Sequence, residues 1–298
     1  MKLSQALKNQ PKVLSLEVTT RCNLDCIYCT KKAKKIGDID LSAELLEKIS
    51  TQLEQFERII VCGIGESFLY PEIYNLVQGN KAQKFSIVTN GTIPIDYKRL
   101  NANGNVEMLI FSIDALEQEV LNQISGRYKL ESLLRNLDEY DKYYKENKVK
   151  INRVLNCTLN EHNLKEILKL VDFARQRGFG TIHFSFPRGN EKFIDDNQQE
   201  INNILKCAAK KAAEYGLYFA DPYTTCCVYL KWVTPYMAIN GDVFSCAETL
   251  YIDKKVGNID DMSFSDIWLS ENYRAFQNGE ACKECKFLSN CRLEFKDK

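Results

Sequence analysis

"KVLSLEVTTRCNLDCIYC", residues Lys12–Cys29, holds the key to the whole chain. Its first half, Val13 to Thr19, is a short apolar run with two β-branched residues at its end, as in a buried strand. Its second half places Cys22, Cys26 and Cys29 at the spacing C-x-x-x-C-x-x-C. A strand that hands three thiols to its own C-terminal end is the arrangement of an α/β protein whose chemistry sits at one mouth of a parallel sheet.

Outward from this stretch the pattern repeats. The runs "RIIVCG" from Arg58, "FSIVTN" from Phe85, "VEMLIFSID" from Val106, "KVKINRVLNCTL" from Lys148 and "TIHFSFP" from Thr181 read as further strands. Between them lie segments of helical spacing, among them "LSAELLEKISTQLEQF", "LESLLRNLDEYDKYY" and "NLKEILKLVDFARQRG", the last closing on Gly178. Six strand-then-helix units predict an α/β fold, a partial (β/α)6 TIM barrel over residues 12–220. Residues 221–298 change texture and predict a small C-terminal domain: a hairpin in "DPYTTCCVYLKWVTPYMAINGDVFSCAETL" and one helix in "SFSDIWLSENYRAFQNG". No Gly/Ser linker separates the two, so the second part is expected to dock on the barrel.

Forty basic and forty acidic side chains cancel, so no overall field recruits nucleic acid or an anionic membrane. No apolar run reaches the roughly 18–20 residues of a membrane span, and "MKLSQALKNQPK" has no secretory signal, so the expected location is the cytoplasm. Thiols stay reduced there, and twelve cysteines then point to metal or iron-sulfur ligation. Cys62, Cys157 and Cys207 stand apart and read as small buried apolar side chains.

Three thiolates can hold three irons of a 4Fe-4S cubane and leave the fourth iron open. A zinc loop completed by a distant fourth ligand is the other reading. With only His162 and His183 in the chain, that ligand would be a further cysteine.

The chain resembles the radical S-adenosylmethionine superfamily, through four stretches in order. Cys22, Cys26, Tyr28 and Cys29 match its cysteine loop; "CGIGESFLYPEI" supplies Gly63, Gly65 and Glu66, with Ser67 where proline is usual; "TNGT" supplies Asn90 and Gly91; and "SID" supplies Ser112 and Asp114. The resemblance implies a 4Fe-4S cluster whose open iron is chelated by S-adenosylmethionine. Reductive cleavage of the sulfonium then yields a 5'-deoxyadenosyl radical, which abstracts a hydrogen atom from substrate. It also implies that Gly65 and Glu66 meet the methionine amino group, Ser112 and Asp114 the ribose, and Tyr28 the adenine face, with Gly63 and Asn90 as further cofactor-site residues. Arg127 and Asn160 are candidates for the carboxylate and its surroundings. Taken singly, Gly65 also reads as a tight turn, Asp114 as a helix cap, Arg127 as a solvated arginine and Asn160 as a turn residue. The run Lys31–Lys35 reads as a solvated face, or as a docking point for an acidic flavodoxin- or ferredoxin-type electron donor.

The second cysteine group, Cys227, Cys246, Cys282, Cys285 and Cys291 with Gly241 between the first two, resembles the SPASM domain of that superfamily. "CRLEFKDK" stops short of its last two ligands, which implies the truncated twitch form with one auxiliary 4Fe-4S cluster. Cys227, Cys246, Cys282 and Cys285 would be its ligands, with Cys291 spare or exchanging. A four-cysteine zinc site is the other reading. Cys226 is a candidate hydrogen-atom donor to a product radical, as an epimerase needs, whereas a dehydrogenase needs the auxiliary cluster as electron acceptor.

The expected activity is that of a radical S-adenosylmethionine oxidoreductase on a small polar substrate resembling a sugar or cyclitol, dehydrogenated or epimerised. The 21 residues before Cys22 are fewer than a peptide-binding domain needs. Modification of a ribosomally made peptide by a thioether, a carbon-carbon link or epimerisation is the alternative. A non-catalytic iron-sulfur or zinc scaffold is the reading of another class. Arg153 and Arg188 are charged residues that suit either substrate contact or structure.

Overall fold

The computed structural model describes residues 10–148, 151–187, 191–220, 222, 234–247 and 254–277. Seven strands run parallel and in sequence order: β1 (Val13–Leu16), β2 (Arg58–Val61), β3 (Lys84–Thr89), β4 (Val106–Ser112), β5 (Asn152–Thr158), β6 (Thr181–Ser185) and β7 (Tyr218–Ala220). Neighbours along the chain are neighbours in the sheet, the outcome of strand-helix-strand crossovers. This is the α/β partial barrel that the sequence predicts, widened by β7. Three residues carry too short a period to announce a strand, and Tyr218 at its start is exposed.

Alternation along each strand divides its side chains between two environments. Leu14 and Leu16, Ile59 and Val61, Phe85 and Ile87, and Leu109 and Phe111 enter the core shared with the helices. The intervening positions face the barrel interior and are mixed: Ser15, Ser86, Ser112, Asn156 and His183 are polar, whereas Ile60, Val88, Met108, Ile110 and Val154 are apolar.

The C-terminal part continues the same sheet. β8 (Tyr236–Met237) lies parallel to β1, with Ser15 opposite Tyr236. β9 (Asp242–Phe244) and β10 (Lys255–Asn258) follow antiparallel, so among the described residues the sheet has ten strands in the order β10-β9-β8-β1-β2-β3-β4-β5-β6-β7. The single helix expected here is two, Phe264–Leu269 and Glu271–Gln277, interrupted at Ser270, whose extended backbone (ψ 157°) ends the first. Ser263 and Asp266 form a capping box on the first helix. Its Phe264 packs edge-on to Phe56 at 5.1 Å, and Trp268 Nε1 donates to Gln55 Oε1 at 3.1 Å. These contacts seat the helix on the outside of the barrel.

Cys157 is buried as expected, but Cys207 is exposed on the helix Gln198–Glu214. Arg153 is buried under Tyr140, with its guanidinium carbon 4.1 Å from that ring and its Nη1 3.4 Å from Asp141, which makes it structural. Arg188 lies outside the described residues.

Candidate functional site

The cysteine loop is pinned to the C-terminal end of each strand it passes. The backbone N–H of Glu66 donates to Arg21 O at 2.8 Å, and the Arg21 guanidinium reaches Asp40 at 2.9 Å and the carbonyl of Leu69. Asn23 exchanges hydrogen bonds with the loop after β3: Asn90 Nδ2 donates to Asn23 Oδ1 at 2.9 Å, and Asn23 Nδ2 donates to Thr92 Oγ1 at 2.8 Å. Ser125 Oγ donates to Asp25 Oδ1 at 2.9 Å, and Ile27 N donates to Ile124 O at 2.9 Å. Tyr28 closes the circuit, its hydroxyl donating to Asp114 Oδ2 after β4.

Cys22, Cys26 and Cys29 are half-buried free thiols within this frame. Burial pushes the Cys22 thiol up and the Cys26 thiol up to about 12; the nearby Asp114 and the other two thiols add to the rise at Cys26. Yet among the described residues no three His, Cys, Asp or Glu side chains converge as one metal ion requires. Three thiols in one loop match a cubane that takes one thiolate per iron and leaves the fourth iron open, whereas zinc would need a fourth ligand from elsewhere. The donor set thus fits an iron-sulfur cluster, held by Cys22, Cys26 and Cys29.

Gly65 lets two backbones meet beside the thiols. A Cβ there would lie 2.3 Å from Thr19 O and 2.6 Å from Arg21 O, which no side chain can accommodate. Gly63 presses in the same way on Glu17. Glu66 is buried, and its carboxylate accepts from Phe68 N at 3.1 Å, Thr89 Oγ1 at 2.7 Å and Asn90 N at 2.6 Å. Burial raises its pKa against the pull of those donors. Its side chain therefore ties the end of β2 to the end of β3.

Asp114 is similarly engaged. Besides Tyr28, Thr158 N donates to Oδ1 at 2.8 Å, and burial pushes the carboxyl up to about 6. Burial also raises the Tyr28 phenol well above its ordinary value. Ser112, Asn156 and His183 lie side by side across β4, β5 and β6 on the interior face, and His183 Nδ1 is 2.6 Å from Asn156 Oδ1. Arg127 is largely exposed and lies 3.8 Å from Asp25, at the rim of the cysteine loop. Asn160 is buried in a turn: its Nδ2 donates to Thr158 O at 2.9 Å and its Oδ1 accepts from His162 N at 3.0 Å. The structure thus gathers Tyr28, Gly63, Gly65, Glu66, Asn90, Ser112 and Asp114 at one mouth, sets Arg127 at its edge, and uses Asn160 as a turn residue.

Lys31, read as part of a solvated basic run, turns inward instead: its ammonium donates to Thr20 O at 2.7 Å and pairs with Asp38. One residue escaped the sequence reading altogether. Glu17 is buried on β1's continuation, with Oε1 accepting from Ile64 N at 3.0 Å and Oε2 from Ile239 N at 3.3 Å. Burial raises its pKa. A lone glutamate inside the apolar run "VLSLEVT" was the available signal.

Of the second cysteine group, Cys246 is buried just after β9. Tyr236, Ala238 and Phe244 with Cys62 form an apolar patch next to it. Cys226, Cys227, Cys282, Cys285 and Cys291 lie outside the described residues.

A family model described as the radical SAM superfamily matches residues 16–171, the stretch that builds this mouth. The chain belongs to that superfamily. An iron-sulfur cluster-binding domain model, SPASM, matches residues 226–292. As a radical S-adenosylmethionine enzyme with a SPASM-type domain, it has a core that binds a 4Fe-4S cluster and S-adenosylmethionine, and its C-terminal domain carries an auxiliary iron-sulfur cluster. A tungsten-containing aldehyde ferredoxin oxidoreductase cofactor-modifying protein from Pyrococcus furiosus is 27% identical over 94% of this chain and 88% of its own. Among solved structures, SuiB of Streptococcus suis bound to the precursor peptide SuiA superposes with a TM-score of 0.69 at 17% identity, over 94% of this chain and 71% of that one. Native anSMEcpe with bound S-adenosylmethionine gives 0.70 at 18% identity, over 94% and 88%. No helix among the described residues is long and apolar enough to cross a membrane.

Proposed function

We propose that this radical S-adenosylmethionine enzyme abstracts a hydrogen atom from a small polar substrate held inside the barrel and then oxidises or epimerises it. The observation that carries the reading is the polar stretch of interior wall nearest the mouth, where Ser112, Asn156 and His183 stand side by side. Such a wall offers hydrogen bonds to a substrate rich in hydroxyl or amine groups and little to an apolar one. The full-length relative from Pyrococcus furiosus, named for modifying a cofactor, supports a small-molecule substrate as well.

With cluster and S-adenosylmethionine bound, the site supplies reductive carbon-sulfur cleavage and a 5'-deoxyadenosyl radical. The chain's own residues do the rest. Cys22, Cys26 and Cys29 hold the cluster, and the loop Gly63–Glu66 lets backbone approach the methionine end. The engaged carboxylates of Glu66 and Asp114 keep the loops around the nucleoside rigid, and Ser112 faces the space for the ribose. Residues 12–220 would form the radical core and residues 221–298 the auxiliary domain, with Cys227, Cys246, Cys282 and Cys285 as ligands and Cys291 spare or exchanging with one of them. Four thiolates leave no open iron, which suits an electron acceptor for a dehydrogenation. Cys226 would matter only in an epimerisation, as hydrogen-atom donor. An acidic flavodoxin- or ferredoxin-type donor in the cytoplasm would supply the electron, met by the exposed Lys32 and Lys35 beside the cysteine loop.

The test is to add size-fractionated extract of the source cells to the reduced, reconstituted enzyme and measure 5'-deoxyadenosine. Stimulation by the low-mass polar fraction supports the reading. Stimulation confined to the peptide fraction would replace it with peptide modification.

A further inference from the structure

Glu17 is a buried carboxylate that no step above uses, and each of its oxygens holds a different part of the molecule. Oε1 accepts from Ile64 N at 3.0 Å, inside the Gly63–Glu66 loop, and Oε2 accepts from Ile239 N at 3.3 Å, in the turn between β8 and β9. Gly63 fits flush against the same side chain: a Cβ there would come within 2.6 Å of Glu17 Cγ and 2.8 Å of Oε1. The two oxygens of a carboxylate are a fixed distance apart. Swinging it away would strand two backbone N–H groups and a carboxylate with 3% exposure, a costly arrangement away from water. A shift of the β8-β9 turn therefore has to move Glu17, and Glu17 has to move Ile64.

We propose that Glu17 is a positioning residue that couples the auxiliary-cluster domain to the S-adenosylmethionine-binding loop, so that the auxiliary domain has to be intact for the core to bind S-adenosylmethionine tightly. The inference rests on the reading of Gly63–Glu66 as that loop. Cys246 lies two residues after the end of β9, so this proposed auxiliary ligand and the seating of Ile239 belong to one short hairpin.

The test is a double-mutant cycle on the full, reconstituted chain, with S-adenosylmethionine affinity from equilibrium dialysis and hydrogen exchange at the amides of Ile64 and Ile239 as readouts. Glu17→Ala is expected to weaken binding about tenfold and to speed exchange at both amides. Cys246→Ala is expected to weaken binding in the Glu17 background and to add nothing in the Glu17→Ala background. Glu17→Gln keeps the shape and one good acceptor, and should fall between wild type and alanine with only one amide exposed. It serves if the alanine variant does not fold. Wild-type affinity and exchange in both Glu17 variants, or a Cys246→Ala effect of equal size in both backgrounds, would overturn the coupling. Failure of the wild-type chain to bind S-adenosylmethionine would instead overturn the assignment of the loop.

Discussion

The hydroxyl of Tyr28 donates to Asp114 Oδ2, joining the cysteine loop to the end of β4 through two residues 86 positions apart. Asp114 is buried, and its folded pKa of about 6 lies above the ordinary 3.8. A raised carboxyl pKa means that the native state holds the proton more tightly than the unfolded chain. Its stabilising contribution is present below about pH 4 and is lost as the pH rises to about 6, amounting to roughly 3 kcal/mol. Asp114→Asn should flatten that slope, as urea unfolding of the cluster-free protein between pH 4 and 7 would record. Parallel pH profiles for the two proteins would contradict it.

Tyr28→Phe removes the donor and leaves a buried carboxylate oxygen without its partner. A loss of about 1–3 kcal/mol is expected, together with a further rise in the Asp114 pKa. Unchanged stability would mean that the loop and β4 are held elsewhere.

Gly65→Ala and Gly79→Ala make a contrasting pair. The first puts a methyl 2.3 Å from the backbone oxygen of Thr19 and 2.6 Å from that of Arg21, whereas the second, at the end of the helix Ile73–Gly79, meets nothing within 4 Å. Thermal unfolding should show a large loss for Gly65→Ala, and a gain of about 0.5–1 kcal/mol for Gly79→Ala.

Glu66→Gln exchanges one acceptor oxygen for a donor amide among three donors. It should destabilise the fold by about 1–3 kcal/mol or more, because one of Phe68 N, Thr89 Oγ1 and Asn90 N then faces an N–H group.

Much of this site was legible because its chemistry is local in sequence. The thiols of Cys22, Cys26 and Cys29 lie within one loop, and Gly65 and Asn90 each follow a strand with a clear apolar run. What could not be read was which groups satisfy one another. Glu66 and Asp114 are present as expected, but their partners, Thr89, Asn90, Tyr28 and Thr158, come from other strands, and only the folded register brings them together. Glu17 escaped for the same reason, its partners Ile64 and Ile239 being far away along the chain. β7 and the break at Ser270 were missed because three-residue strands and single-residue interruptions leave no period to detect.

Cluster assembly depends on proton release, because thiolates and not thiols bind iron, and burial of Cys22 and Cys26 strengthens that dependence. Cys22 and Cys26 are protonated at neutral pH and have to lose their protons to bind iron, so the rate of anaerobic iron loading should rise between pH 7 and 9. Cys26→Ala should release fewer protons than wild type in an indicator assay.

The central claim is most directly tested by anaerobic reconstitution with iron and sulfide, followed by S-adenosylmethionine and dithionite, with 5'-deoxyadenosine read by chromatography. The account predicts about eight irons per chain from two 4Fe-4S clusters, and nucleoside from the wild type only, with none from a variant in which Cys22, Cys26 and Cys29 are all alanine. Zinc bound in place of iron, or an intact cluster that yields no 5'-deoxyadenosine, would contradict it.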